Sequence, residues 1–207
     1  MKTISNVRTL KMVQLALFSA IILLLAFTPI GFIKLPAGLS ITVVGIPVIV
    51  GAITLGPKAG AVLGTVFGLA SFSQAFGYEA FGTMLFSYNA IGTFITCMIP
   101  RILMGWLTGL TFQALKRIDS TKFVSYLITS LVGSILNTIL FMTSLMIFFY
   151  NDSRFQELVG INASNVFLLA ILMVGFNAVA EMIVSGIIGT AVSKPLDRLN
   201  HNYENNV

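Results

Sequence analysis

Two ionisable residues of this 207-residue chain, Arg101 and Glu181, stand deep inside long apolar segments. A charge buried in hydrocarbon is costly unless it is paired or hydrated, so a charge at such depth marks a candidate functional site. Two amides accompany them: Asn137, and Asn177 four residues before Glu181 and therefore on the same face of a helix. A guanidinium presents a planar fork to a carboxylate or phosphate, and an amide offers both donor and acceptor to hydroxyls and amides. The four side chains thus read as a polar pocket for a small anionic, hydroxylated or amide-bearing molecule. The structural alternative is that Arg101 and Glu181 neutralise each other and tie two helices together. One ion pair, however, leaves both amides unexplained, and one carboxylate does not readily satisfy every guanidinium donor.

Catalysis fits these residues less well. The single histidine, His201, lies in the polar tail, and there is no HExxH, GxSxG or Cys–His pairing. No aspartate falls within an apolar run, which removes an intramembrane aspartyl dyad. Gly56-Pro57-Lys58-Ala59-Gly60 lacks the spacing of a phosphate loop, so the chain does not hydrolyse ATP alone. Cys97 is the only cysteine; it forms no intrachain disulfide and reads as a small packing residue. No metal-ligating set or cofactor motif is present, and the expectation is a protein that is not an enzyme. Two competing readings remain. One is an intramembrane enzyme on a lipid head group, with Arg101 on phosphate and Glu181 as base. The other is a channel or stand-alone carrier, against which the lack of inverted repeats counts.

The elements that must position these residues follow from composition. Hydrophobic residues make up 57% of the chain and charged ones 9%, against about 25% in soluble proteins. Uncharged stretches cover Met12–Ile33, Leu35–Pro57, Ala59–Tyr78, Ala80–Pro100, Phe123–Asn151 and Leu158–Ala180, each near or above the roughly 20 residues that cross a bilayer as a helix. The predicted fold is an all-α integral membrane protein: a single domain of six transmembrane helices, with a polar cytoplasmic tail over 194–207. Helices are expected over Lys11–Thr28, Val44–Leu55, Lys58–Phe76, Asn89–Lys116, Phe123–Tyr150 and Asn165–Val192. Arg101 then sits about a dozen residues into the fourth, near 18 Å along its axis, and Glu181 lies similarly deep in the sixth.

Between the first two helices, Gly31, Lys34, Pro36, Gly38 and Ser40 make Pro29–Val43 a long outer loop, folded back over the bundle. Its Pro36–Val43 portion, Ser40 included, is expected to close the pocket. Gly77–Tyr88 reads as a second outer connection, and Asn151–Ser164 as a third. Gly60, Gly64 and Gly68 share one face of the third helix, a spacing that lets helix backbones approach closely. Charge sets the orientation. With both termini cytoplasmic, Lys2, Arg8, Lys11, Lys58, Lys116, Arg117, Lys122, Lys194 and Arg198 lie inside, and only Lys34 and Arg154 outside. The net charge of +5 is therefore topological, and scattered basic residues without a basic-aromatic patch exclude a nucleic-acid partner.

Leu35-Pro36, the run from Gly45-Ile46-Pro47 to Gly56-Pro57-Lys58-Ala59-Gly60, and Gly64 followed by Phe67-Gly68-Leu69 resemble the substrate-binding S components of energy-coupling factor (ECF) vitamin transporters. Ala16 and Ala20 match the AxxxA motif of that family's first helix. The resemblance covers essentially the whole chain, and with Arg101 and Asn137 at their positions it is greatest to the pantothenate-specific type. It implies a high-affinity vitamin receptor in a bacterial cell membrane. The receptor would be the binding subunit of an ABC importer, partnered by a transmembrane T protein and two cytoplasmic ATPases that drive its toppling. It further implies a ligand carboxylate on Arg101 and ligand hydroxyls or amide on Asn137 and Asn177, with Ala16 and Ala20 facing the T protein. Other members bind other vitamins on the same scaffold. The motif assigns Glu181 no ligand contact; it lines the pocket or orients Arg101.

Overall fold

The computed structural model describes residues 2–34, 40–117, 123–150, 152, 153, 155, 156 and 164–205, with side chains at all of these except 2–6, 32–34, 40, 41, 164–177 and 200–205. In chain order the main elements are α1 (Lys2–Ala26), a 3-10 turn (Pro29–Gly31), β1 (Phe32–Lys34), β2 (Ser40–Thr42), α2 (Gly45–Leu55), α3 (Pro57–Gln74), α4 (Ala80–Tyr88), α5 (Ala90–Leu115), α6 (Phe123–Phe149) and α7 (Ser164–Asn205). Four of them contain stretches long and apolar enough to cross a membrane: Val7–Ala26, Ala90–Leu115, Phe123–Phe149 and Ala178–Leu199. The 11-residue α2 is apolar but short. Polarity is distributed as a lipid solvent requires. Met12, Leu17, Leu24, Ile139, Ile147, Ile183 and Ile187 are exposed, whereas Thr93, Thr96, Thr108, Ser130 and Ser193 are buried.

The glycine face of the third predicted helix does pack. A Cβ on Gly60 would run into the Gly105 carbonyl, one on Gly64 into the Arg101 carbonyl, and one on Gly68 into the Cys97 carbonyl. Only hydrogen fits at these positions, and α3 seats directly on the backbone of α5 at the level of Arg101. The α2–α3 corner turns on Gly56, whose φ of 96° suits glycine, with Pro57 opening α3 where its missing N–H costs nothing.

Three expectations need correction. Gly77–Tyr88 is more than a connection, because it contains α4, started by Glu79, whose carboxylate accepts the Phe81 and Gly82 N–H groups at 3.0 and 2.5 Å. The outer loop Pro29–Val43 carries a two-stranded antiparallel ribbon, pairing Phe32 with Thr42 and Lys34 with Ser40; its tip, residues 35–39 and so Pro36, lies outside the described residues. The last helix does not end at Val192. It runs through Pro195 to Asn205, so most of the expected tail is helical. Asp197 on that extension accepts a hydrogen bond from Tyr126 Oη at 2.7 Å and lies 3.9 Å from Lys116 Nζ, tying it to α6 and the end of α5.

Candidate substrate-binding site

Arg101 owes its place to the residue before it. Pro100 lies inside α5 and has no N–H, so the Thr96 carbonyl four residues back loses its helical donor. Arg101 Nη1 donates to that carbonyl at 2.8 Å. The guanidinium is flanked by aromatic rings, its centre 4.4 Å from the Phe141 centroid on α6 and 5.4 Å from that of Phe67 on α3. Such faces stabilise a cation in an apolar setting. Thr96 Oγ1 and Ser144 Oγ share a hydrogen bond of 2.9 Å, fixing α5 to α6 beside the arginine.

Among the described residues no ion pair joins Arg101 to Glu181, although both are buried, at 8% and 9% exposure. Glu181 Oε1 instead accepts the backbone N–H of Thr42 at 2.9 Å, binding α7 to the ribbon. Among the described residues, Arg101 Nε and Asn137 Oδ1 are buried and meet no hydrogen-bonding partner. A buried donor and a buried acceptor left over on facing helices are what a ligand-binding wall presents.

Both groups border one cavity of about 380 Å³, within the usual range for small-molecule sites. Its walls come from β2 (Thr42), α3 (Phe67, Ser71, Gln74), α4 (Phe81, Gly82, Leu85), α5 (Thr93, Thr96, Cys97, Arg101), α6 (Asn137, Thr138, Phe141, Met142) and α7 (Ala178, Glu181), with Glu79 at the start of α4. Three sequence-derived candidates, Arg101, Asn137 and Glu181, are therefore brought together. Asn177 lies in α7 and Ser40 in β2, but their side chains are outside the described residues. Sequence reasoning missed the uncharged walls. Thr93, Cys97 and Arg101 recur at four-residue spacing and so share one face of α5; Phe67, Ser71 and Gln74, four and then three residues apart, share one face of α3. Cys97, expected only to pack, also borders the cavity. Among the described residues no group of three His, Cys, Asp or Glu side chains could hold a metal.

Ala16 and Ala20 are far from this chemistry in character. They are exposed on α1, whose buried side carries Phe18, Ile22 and Ala26.

A family model described as the substrate-specific component of ECF transporters matches residues 10–193. The chain belongs to this family of ECF substrate-specific components. Two curated relatives span nearly its whole length. The protein of Lactococcus lactis subsp. cremoris (strain MG1363) named pantothenic acid transporter PanT is 31% identical over 199 residues, 91% of this chain and 94% of the relative. The protein of Leuconostoc mesenteroides subsp. mesenteroides named pantothenate transporter PanT is 30% identical over 200 residues, 93% of this chain and 94% of the relative. The ECF component described here is accordingly a multi-pass protein of the cell membrane, and its family and relatives are transporter components.

Proposed function

We propose that this ECF component binds pantothenate and delivers it across the membrane with a T protein and two cytoplasmic ATPases that hydrolyse ATP. The observation that carries the reading is a pair in one cavity left without a partner among the described residues, Arg101 Nε and Asn137 Oδ1. Pantothenate has one carboxylate for the guanidinium, and an amide and two hydroxyls for Asn137. Phe67 and Phe141 beside the guanidinium supply the apolar walls that its dimethyl centre needs. The names of the two relatives support the same vitamin. On sequence grounds the contact set extends to Glu181, Asn177 and Ser40.

The topology proposed with it has six spans, α1, α2, α3, α5, α6 and α7, and both termini in the cytoplasm. The distribution of basic residues supports that orientation. Ala16 and Ala20, exposed and one turn apart, form the face offered to the T protein. Reconstitution tests the function. Vesicles holding this chain with T protein and ATPases should accumulate labelled pantothenate when ATP is supplied on the ATPase side. The chain alone should not. Uptake by the chain alone would make it a carrier and overturn the proposal.

A further inference from the structure

We infer that Glu181 is a positioning residue that latches the β1–β2 ribbon over the cavity and thereby sets how long the vitamin stays bound. The inference rests on the cavity being the vitamin site. The bond from the Thr42 N–H to Glu181 Oε1, 2.9 Å long, joins residues 139 apart in the chain. Thr42 ends β2 opposite Phe32. Because its N–H is engaged by α7, that group points away from the ladder, and the latch does not compete with the ribbon's own pairing. Of the other backbone hydrogen bonds at the base of the ribbon, Gly31 N–H to the Thr28 carbonyl and Val43 N–H to the Gly31 carbonyl stay within the same outer segment, and Ile46 N–H to the Val43 carbonyl reaches only the adjoining start of α2. Among the described residues, Glu181 thus supplies the polar tie between the ribbon and a helix distant in the chain.

Thr42 and Glu181 border the same cavity as Arg101. A buried carboxylate that forms no ion pair among the described residues depends on hydrogen-bond donors, and Thr42 provides one of them. A ligand hydroxyl or amide N–H reaching the same carboxylate provides another. Ribbon and ligand then stabilise one anion together, so occupancy favours closure and closure retards release, as reciprocal coupling requires. Arg101 and Glu181 divide the work: the cation selects a carboxylate at one end of the ligand, and the anion selects a donor elsewhere and repels a second carboxylate.

Three variants separate the parts. Glu181→Gln keeps a carbonyl acceptor, Glu181→Leu removes it, and Thr42→Pro removes the backbone donor together with the threonine hydroxyl, at a ribbon edge where proline is tolerated. Hydrogen exchange of residues 40–46 in the purified, vitamin-free protein reads the latch, and the dissociation rate of radiolabelled pantothenate reads the coupling. A hydrogen bond to a charged group corresponds to roughly 10- to 100-fold in an equilibrium constant. Vitamin-free Glu181→Leu should exchange roughly tenfold or more faster in this segment, with Glu181→Gln between it and the native protein. Dissociation should accelerate to a similar degree in Glu181→Leu and Thr42→Pro, and no further in the double variant. Unchanged exchange in Glu181→Leu overturns the latch. Faster exchange with native dissociation rates overturns the coupling. Faster exchange in a protein that holds no pantothenate at all upholds the latch and overturns only the vitamin assignment. If Glu181→Leu does not fold, Thr42→Pro decides the question, and native dissociation in that variant rejects the inference.

Discussion

Replacing Pro100 by alanine should make the protein more stable and a weaker binder, a split in sign that follows from one carbonyl. Proline in a helix interior costs about 3 kcal/mol relative to alanine, since a hydrogen bond is lost and the ring crowds the preceding turn. Pro100 is buried within α5, so the substitution also removes two packed methylenes, worth about 1.6 kcal/mol. The balance is a gain of about 1.4 kcal/mol, visible as a higher melting temperature in detergent. The backbone N–H that alanine restores at this position would bond the Thr96 carbonyl, which now accepts from Arg101 Nη1 at 2.8 Å. A carbonyl can accept twice, so only part of the roughly 1.5–3 kcal/mol of a charge-assisted bond is forfeited. About 0.5–1.5 kcal/mol of guanidinium positioning should be lost, roughly 2- to 12-fold in pantothenate affinity. Calorimetric titration and thermal unfolding of the same preparation measure both quantities. A variant that is more stable and binds at native affinity or tighter would refute the idea that the proline-freed carbonyl aims Arg101.

Other consequences are open to test. Gly64→Ala places a methyl against the Arg101 carbonyl, and overpacking of about 1–3 kcal/mol should lower the melting temperature together with affinity; a stable variant with native affinity would contradict the α3–α5 seat. Ala16→Trp and Ala20→Trp should leave vitamin binding intact while co-purification with the ATPase module and uptake both fall; normal uptake would remove this face from docking. A reporter fused after Asn205 should be active only in the cytoplasm, and labelling of that position from outside intact cells would reverse the proposed topology.

Much of the architecture was legible because lipid imposes a coarse rule: uncharged stretches near 20 residues become helices, and α5 and α6 begin within one residue of where charge and hydropathy set them. The glycine spacing likewise foretold close packing, now seen between α3 and α5. The short elements were not legible. Strands of three residues are too brief for a period of two to register, and α4 opens with Glu79, a residue less typical of helix caps than Ser, Thr, Asp or Asn. The last helix read as ending at Val192, yet it continues, held by Asp197 against Tyr126 and Lys116, contacts that only the tertiary fold supplies. For the site, depth identified Arg101, Asn137 and Glu181, since rise per residue is fixed. What each side chain faces depends on how the helices are rotated, and so Glu181 meets Thr42, a partner that depth alone did not indicate. One signal was available and unused: Pro100 directly precedes Arg101, and its missing N–H frees the carbonyl that the arginine takes.

The central claim is that Arg101 is held in the cavity for the carboxylate of a vitamin, and titration of pantothenate into purified native protein and Arg101→Ala tests it most directly. Removing a desolvated charged contact costs about 2–5 kcal/mol, roughly 30-fold to several thousandfold in affinity. The native protein should bind one pantothenate per chain, and the variant, eluting as the same monodisperse species, should show no binding at micromolar vitamin. Equal affinity in the two proteins, or no binding of pantothenate by the native one, would contradict the claim.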